Sequence, residues 1–299
     1  MKQFAKRMVC LLTGILMVLA ILTGCSGTPK DEKSDSLVPS STTEERGVLR
    51  IGMECAYAPF NWTQSTAEVA NGDTAVPIYG TNDYAYGYDI MVAKLLAEEL
   101  DMDLEIHKVE WSSIVLGMNA GDYDIILAGM SYSTERDQSV DFTEPYYVRD
   151  NVIIVNKEGA YANASGLSDF TGASCTTQIG TSWVHYVPQI PEVEQLTYYE
   201  TTAEVVMAVS MGTADCGILD EPTALSATLA NDNIAYIKLP AEDGFTVPEG
   251  TSLNICIAVK EGESALQKTL NDALVAISLD EEKMAELMNT AIEVQPLGD

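Results

Sequence analysis

The chain has 299 residues, a hydrophobic fraction of 46%, and 16 Lys and Arg against 45 Asp and Glu, a formal charge of −29. That length and apolar content support one large or two ordinary globular domains and exclude a globally disordered chain. An acidic excess with no dense basic face excludes nucleic acid as a partner, because phosphate neutralisation needs clustered Lys and Arg.

The chain opens with Lys2, Lys6 and Arg7, followed by an uncharged apolar run over residues 8–23. This is the pattern of a secretory signal, shorter than the ~20 apolar residues of a spanning helix. It ends in Leu22-Thr23-Gly24-Cys25, which resembles a bacterial lipobox. Residues 1–24 are therefore expected to be a lipoprotein signal peptide, with Cys25 carrying the lipid. The alternative is an uncleaved membrane anchor. Residues 25–45 are rich in Ser, Thr, Pro, Lys, Asp and Glu without a hydrophobic period, as in a flexible tether.

From residue 46 onward strand and helix patterns alternate, which predicts an α/β fold. Residues 48–52 read as a short strand. Asp89 is expected to cap a helix with Ile90, Ala93, Ala97 and Leu100 on one face. Between them, the Gly/Asn/Thr/Pro-rich residues 62–84 read as a surface loop or hairpin. A strand over 104–106 follows, then a helix capped by Ser112 and stopped by Gly121, then a buried strand over 125–128. Further on, Thr201 and Glu204 fit a capping box, Gly212 ends that helix, and 216–219 is a strand. Gly121-Asp122-Tyr123-Asp124 and Gly212-Thr213-Ala214-Asp215 match at an offset of 91 residues. A helix, a glycine stop, a strand and a polar loop thus occur twice, which predicts two similar α/β lobes. Ligands of open parallel sheets bind beyond the carboxyl ends of strands, which directs attention to residues 129–136 and 220–222.

Of six cysteines, Cys10 lies in the signal and Cys25 at the lipidation site. Cys55, Cys175, Cys216 and Cys256 have no C-x-x-C or metal-ligand spacing and sit in or beside apolar runs. They read as buried free thiols, although export permits disulfides. No metal site and no cofactor are expected.

Arg136 is the only cation over residues 109–148, a stretch with seven carboxylates. A guanidinium fork grips a carboxylate bidentately, and Asp220 offers the opposite charge from the other half of the chain; an amino acid zwitterion needs that pair. Gly129, Ser131, Thr181 and Ser182 supply further hydrogen-bonding groups. The competing readings are an ion pair of Arg136 with Glu135, Asp137 or Asp141, and helix capping by Asp220 beside Pro222.

Leu49-Arg50-Ile51-Gly52 with Tyr57-Ala58-Pro59-Phe60 resembles the opening of family 3 solute-binding proteins, the receptors of polar amino acid ABC importers. Gly87-Tyr88-Asp89-Ile90, Gly121 through Asp124, Ser131 through Arg136, Asp141 through Tyr147, Ile179 through Ser182 and Asp215 through Asp220 continue the resemblance in order, over about residues 46–297. It implies a two-lobed clamshell of the periplasmic-binding-protein type II, with two crossover strands. One lobe would be residues 46–149 plus 250–299, the other 150–249. By the same resemblance Arg136, helped by Ser131 and Thr181, grips the ligand carboxylate. Asp220 and the Gly129 carbonyl hold the ammonium, and Tyr57 and Trp111 sandwich the side chain. Glu54 and Trp183 stand at selectivity positions. The sequence departs from relatives in Ala128-Gly129, where several carry a Ser pair. It also has a longer insertion over 63–85, read as a cleft cover or partner contact. Trp62 reads as structural.

The resemblance implies a non-enzymatic, monomeric receptor outside the cytoplasm, anchored to a bacterial membrane by its lipid. Its partners would be a free amino acid and an ABC permease with its ATPase. A carboxylate at position 54 favours Lys, Arg and His over polar neutrals, with Glu and Asp last; the alternative is that Glu54 pairs locally and only shapes the cleft. Some relatives of this fold are cyclohexadienyl dehydratases that use cleft carboxylates, so an enzyme of that kind is the other functional class. A ligand-sensing module is a third, and would need a separate signalling partner. The two histidines, His107 and His185, form no catalytic motif.

Overall fold

The computed structural model describes residues 46–297. The signal peptide, Cys25 and the tether lie outside the described residues. Among the described residues, no helix is long and apolar enough to cross a membrane.

In chain order the elements are β1 (Gly47–Met53), β2 (Ala56–Tyr57), β3 (Asn61–Gln64), β4 (Val76–Pro77), β5 (Tyr84–Tyr86), α1 (Tyr88–Glu99), β6 (Met102–Lys108), α2 (Ile114–Ala120), β7 (Ile125–Ile126), β8 (Ser131–Ser133) and β9 (Val140–Val148). They continue with β10 (Asn151–Asn156), β11 (Ser174–Thr176), β12 (Glu194–Gln195), α3 (Thr202–Ser210), β13 (Cys216–Asp220), α4 (Glu221–Ala230), β14 (Ile234–Ile237), β15 (Thr251–Lys260), α5 (Ser264–Ala276) and α6 (Glu281–Val294). One sheet has the order β6-β1-β7-β15-β8 with β9 paired to β15; a second has the order β12-β11-β13-β10-β14. The molecule is a two-lobed α/β clamshell, each sheet being covered by its own helices.

The chain leaves the first sheet at the end of β9 and enters the second at β10, one step past Arg149 and Asp150. It returns as β15, which runs antiparallel to β9 with Asn254 opposite Val148. The two crossings thus lie side by side, and the Arg149 amide donates to the Leu253 carbonyl (3.2 Å). Strand β10 is apolar on both faces because helices cover both: Val152, Ile153, Ile154 and Val155 are all buried.

Both glycine stops take left-handed φ, 88° at Gly121 and 72° at Gly212, and both helices feed a buried strand, β7 or β13. The Thr201 hydroxyl accepts from the Glu204 amide (3.2 Å) while the Glu204 carboxylate accepts from the Thr201 amide (3.0 Å), closing the capping box.

Two local expectations differ from the structure, and a third is decided by it. The N-cap of α1 is Gly87, not Asp89. Asp89 lies inside the first turn, fully buried, and accepts from Asn61 Nδ2 (2.7 Å) and Tyr146 Oη (2.8 Å). Burial pushes its carboxyl up to about 7, the two hydrogen bonds opposing. Ser112 caps nothing. It sits inside a 3-10 turn, Trp111–Ser113, and its amide donates to Glu200 Oε1 (2.9 Å) across the cleft. Of the loop and hairpin readings of residues 62–84 the loop fails, since β3 and β5 pair antiparallel and with β2 and β4 make a four-stranded sheet. It docks on the edge of β6, where Ile78 bridges Ile106 and Tyr79 stacks on His107 at 4.8 Å. The insertion thus protects a sheet edge.

Cys55, Cys175, Cys216 and Cys256 are buried and free. Cys175 and Cys216 are register partners on β11 and β13.

Candidate functional site

Nine of the ten residues expected to bind ligand line one cavity between the sheets; Asp220 lies behind it. No residue of the 63–85 insertion lines it. The cavity measures about 10 Å³, space for roughly one water molecule. Groups from the two sheets meet directly across it: Ser131 Oγ with Ser182 Oγ (3.1 Å), and Arg136 Nη2 with the Gly180 carbonyl (2.8 Å).

Arg136 follows β8 in a 3-10 turn. Its Nη1 donates to the Ser131 carbonyl (2.7 Å) and hydroxyl (3.2 Å), and its guanidinium lies over Trp111 at 5.5 Å. None of the carboxylates near it in sequence pairs with it; its partners are a hydroxyl and backbone carbonyls. Burial, aided by the neighbouring Arg149 cation, pulls its pKa down to about 10. With no carboxylate at ion-pair distance and only the through-space field of Glu135 opposing its charge, the guanidinium is primed for a carboxylate. The Thr181 hydroxyl donates to the Gln178 carbonyl (2.8 Å), leaving its oxygen as an acceptor.

Gly129 has φ 62°, and a Cβ on it would lie 2.4 Å from Tyr57 Cε1. Only glycine meets both conditions, which accounts for the departure from a Ser pair there. Its amide donates to Tyr146 Oη (2.9 Å).

Asp220 ends β13 and caps α4, with Oδ1 accepting from the Thr223 amide (2.9 Å). Its other oxygen accepts from the Tyr57 hydroxyl and from Arg149 Nη1 (3.3 Å). The capping reading of Asp220 therefore holds, and the cation beside it within the chain is Arg149, a residue that sequence reasoning missed. Arg149 Nη1 also donates to Tyr57 Oη (2.6 Å), and the guanidinium covers Trp183 at 4.7 Å. The only signal was a second arginine just after Pro145-Tyr146-Tyr147, one residue past the stretch in which Arg136 stood alone.

Tyr57 stacks on Phe60 at 4.8 Å and 9° and spends its hydroxyl on Asp220, whereas Trp111 faces Arg136. The aromatic that shares an edge with Tyr57 is Trp183, at 6.2 Å. Trp62 is structural, packed edge-on against Tyr86.

Glu54 follows β1 and is buried. Both its oxygens accept from Gln178 Nε2 (3.2 Å each), and Gln178, a second missed residue, also donates to the Glu200 carbonyl (2.7 Å). Burial raises the Glu54 carboxyl to about 7; the Gln178 bond opposes, while Glu200 and Glu204 add to the rise. Among the described residues there is no group of three or more His, Cys, Asp or Glu that could hold a metal ion.

Two α/β lobes joined by a pair of crossing strands, with charged and aromatic groups converging between them, define the class of two-lobed solute-binding proteins. Residues 49–291 match the bacterial extracellular solute-binding proteins, family 3, and the chain belongs to that family. It is 26% identical over 258 residues to a probable histidine-binding protein of Neisseria gonorrhoeae, covering 85% of this chain and 84% of that one. It is 27% identical over 237 residues to ABC transporter arginine-binding protein 1 of Escherichia coli K12, covering 77% and 94%. The fold matches an amino acid ABC transporter substrate-binding protein from Streptococcus pneumoniae bound to L-arginine, with TM-score 0.67, 22% identity, and 83% and 95% of the two chains covered. It also matches an ancestral amino acid-binding protein, a precursor of cyclohexadienyl dehydratase, with TM-score 0.63, 26% identity, and 81% and 94% covered.

Proposed function

We propose that the protein captures a free amino acid outside the cytoplasm and hands it to an ABC permease and its ATPase. The observation that carries this reading is Arg136, a cation without a carboxylate partner in a cleft whose far side holds Asp220. A ligand carboxylate completes Arg136, with Ser131 and Thr181 assisting, while Asp220 and the Gly129 carbonyl receive the ammonium. Each sheet with its helices serves as one lobe, divided at 149/150 and 249/250, and closure about the crossing strands encloses the ligand. Cys25 tethers a monomeric receptor to the membrane. Glu54 and Trp183 contact the ligand's distal end, where a carboxylate of pKa about 7 is drawn toward its ionised form by a cationic side chain. Lys, Arg and His therefore rank first, polar neutrals next.

A thermal-shift screen of the common amino acids tests this: a ligand at 100 times its Kd stabilises by about 2.7 kcal/mol. No shift with any of them would overturn the reading. Titration of the Glu54→Gln variant with Arg, Lys, Gln and Glu tests the ranking; an unchanged cation-to-neutral ratio would remove Glu54 from selectivity.

One observation favours a second reading. A cleft carboxyl raised to about 7 is suited to general acid or base work, as in a cyclohexadienyl-dehydratase-like enzyme. Turnover of a prephenate-like acid by the wild type, lost in Glu54→Gln, would support it over the receptor.

A further inference from the structure

Arg149 is the one charged side chain of the cavity wall to which neither the motifs nor the reading above assigns a role. Its residue is 5% exposed. Around its guanidinium stand the Asp220 carboxylate (3.3 Å), the Tyr57 hydroxyl oxygen (2.6 Å) and the Trp183 ring (4.7 Å). An anion, a neutral acceptor and an aromatic face together make a receptor for an organic cation. Here the chain fills that receptor with its own side chain.

With Arg149 in place the cavity measures about 10 Å³, whereas small-molecule pockets begin at roughly 300 Å³. Opening of the lobes adds room in the cleft, but an ammonium arriving at Asp220 still meets Arg149 on the same carboxylate. Arg149 also lines a second, outer cavity of about 400 Å³, together with Asp150 and Glu221. Those two carboxylates share one cation, Lys238, at 2.7 Å each. Arg149 thus borders both the inner carboxylate and the cavity of the outer acidic pair, at the crossing between the sheets.

We propose that Arg149 is a tethered surrogate for the ligand's α-ammonium, which an incoming amino acid displaces from Asp220 toward Asp150 and Glu221. This rests on the amino acid reading above. Charge balance supports it. With Arg149 inside, an added ammonium would be a second cation against one carboxylate. With Arg149 outside, Asp220 meets one ammonium and Arg136 one carboxylate. The apparent affinity is then the intrinsic one reduced by the fraction of molecules with Arg149 outside, and ligands without an ammonium cannot take its place at Asp220.

Calorimetric titration of the wild type and Arg149→Gln with L-arginine, L-lysine, L-histidine and L-glutamine, and with the 2-oxo acid of the best binder, tests the proposal. Glutamine keeps a donor for Tyr57 and Asp220. The expected result is at least tenfold tighter binding of the amino acid by Arg149→Gln and no gain for the 2-oxo acid. Equal or weaker amino acid binding by the variant, or an equal gain for the 2-oxo acid, overturns the surrogate role while leaving the receptor reading intact. Binding of no amino acid by either protein overturns the receptor reading and the surrogate role with it. Should Arg149→Gln not fold, Asp150→Asn with Glu221→Gln decides: removing the outer carboxylates is expected to weaken binding severalfold, and unchanged affinity overturns the displacement.

Discussion

Two arginines bound the cleft, and the protein surrounds them in opposite ways. Arg136, at the β8 end, is held by the Ser131 and Gly180 carbonyls and a hydroxyl. Arg149, at the crossing, is held by a buried carboxylate, a phenol and an indole. Dipoles orient a cation without cancelling it, so the Arg136 end keeps its attraction for an outside anion. A carboxylate cancels the charge, so the Arg149 end contributes to the stability of the fold first. The contrast follows from what comes after the two repeated strands. Beyond β7 the chain turns through Gly129 with no acid at hand, whereas β13 runs straight into α4 with Asp220 as cap.

If that contrast is right, the largest effect on stability belongs to the Arg149 end. Asp220→Ala strands a buried guanidinium and removes a helix cap, and should destabilise the fold by about 3–5 kcal/mol, the scale for breaking a buried pair. Chemical denaturation measures this, and a loss below 1 kcal/mol would erase the distinction between the two ends.

Arg136→Ala should do the reverse. Its partners are carbonyls that water can replace, so the melting curve should stay near wild type, while amino acid binding weakens by about 2–5 kcal/mol. Arg136→Lys should recover only part, because one ammonium cannot reproduce a bidentate fork. Near wild-type affinity of Arg136→Ala in calorimetry would sink its role.

Gly129→Ala sharpens the comparison from the backbone side. A left-handed residue facing Tyr57 at 2.4 Å must either distort the turn or push the ring away from Asp220, at about 2–4 kcal/mol. Urea unfolding of this variant should show a lowered midpoint with an unchanged slope.

The smallest effect is electrostatic and depends on pH. The Glu54 carboxyl stands at about 7 against an ordinary 4.5, so the folded state favours its neutral form. That contribution is fully present below pH 4.5, fades as pH rises, and is lost through pH 7. Glu54→Gln should therefore flatten this part of the pH–stability curve and gain about 1–3 kcal/mol on the wild type at pH 8, with the gap closing toward pH 5. Asp89, also raised to about 7, keeps a residual slope in the variant.

Short-range chemistry made much of this molecule legible from its residues alone. The glycine stops at 121 and 212, the Thr201–Glu204 box, the apolar strands and the isolated Arg136 depend on neighbours a few positions away. Where a local rule failed, a distant partner had outweighed it. Asp89 forgoes capping because Asn61 and Tyr146, 28 and 57 residues away, take its oxygens inside the core. The 63–85 insertion becomes a sheet because the open edge of β6 receives it.

The amino-acid sequence by itself determined the α/β alternation, the doubled helix–glycine–strand unit, the family and most of the residues that line the cleft, though not Arg149 or Gln178. Tertiary structure alone decided how those residues are paired. Arg149 finds Asp220 across 71 positions and Tyr57 across 92, and Gln178 finds Glu54 across 124. Helix caps and strand alternation are set by energies acting within one or two turns of chain. The partner of a buried charge is set by whichever opposite group the closed lobes bring within about 3 Å, where a low local dielectric makes contact decisive.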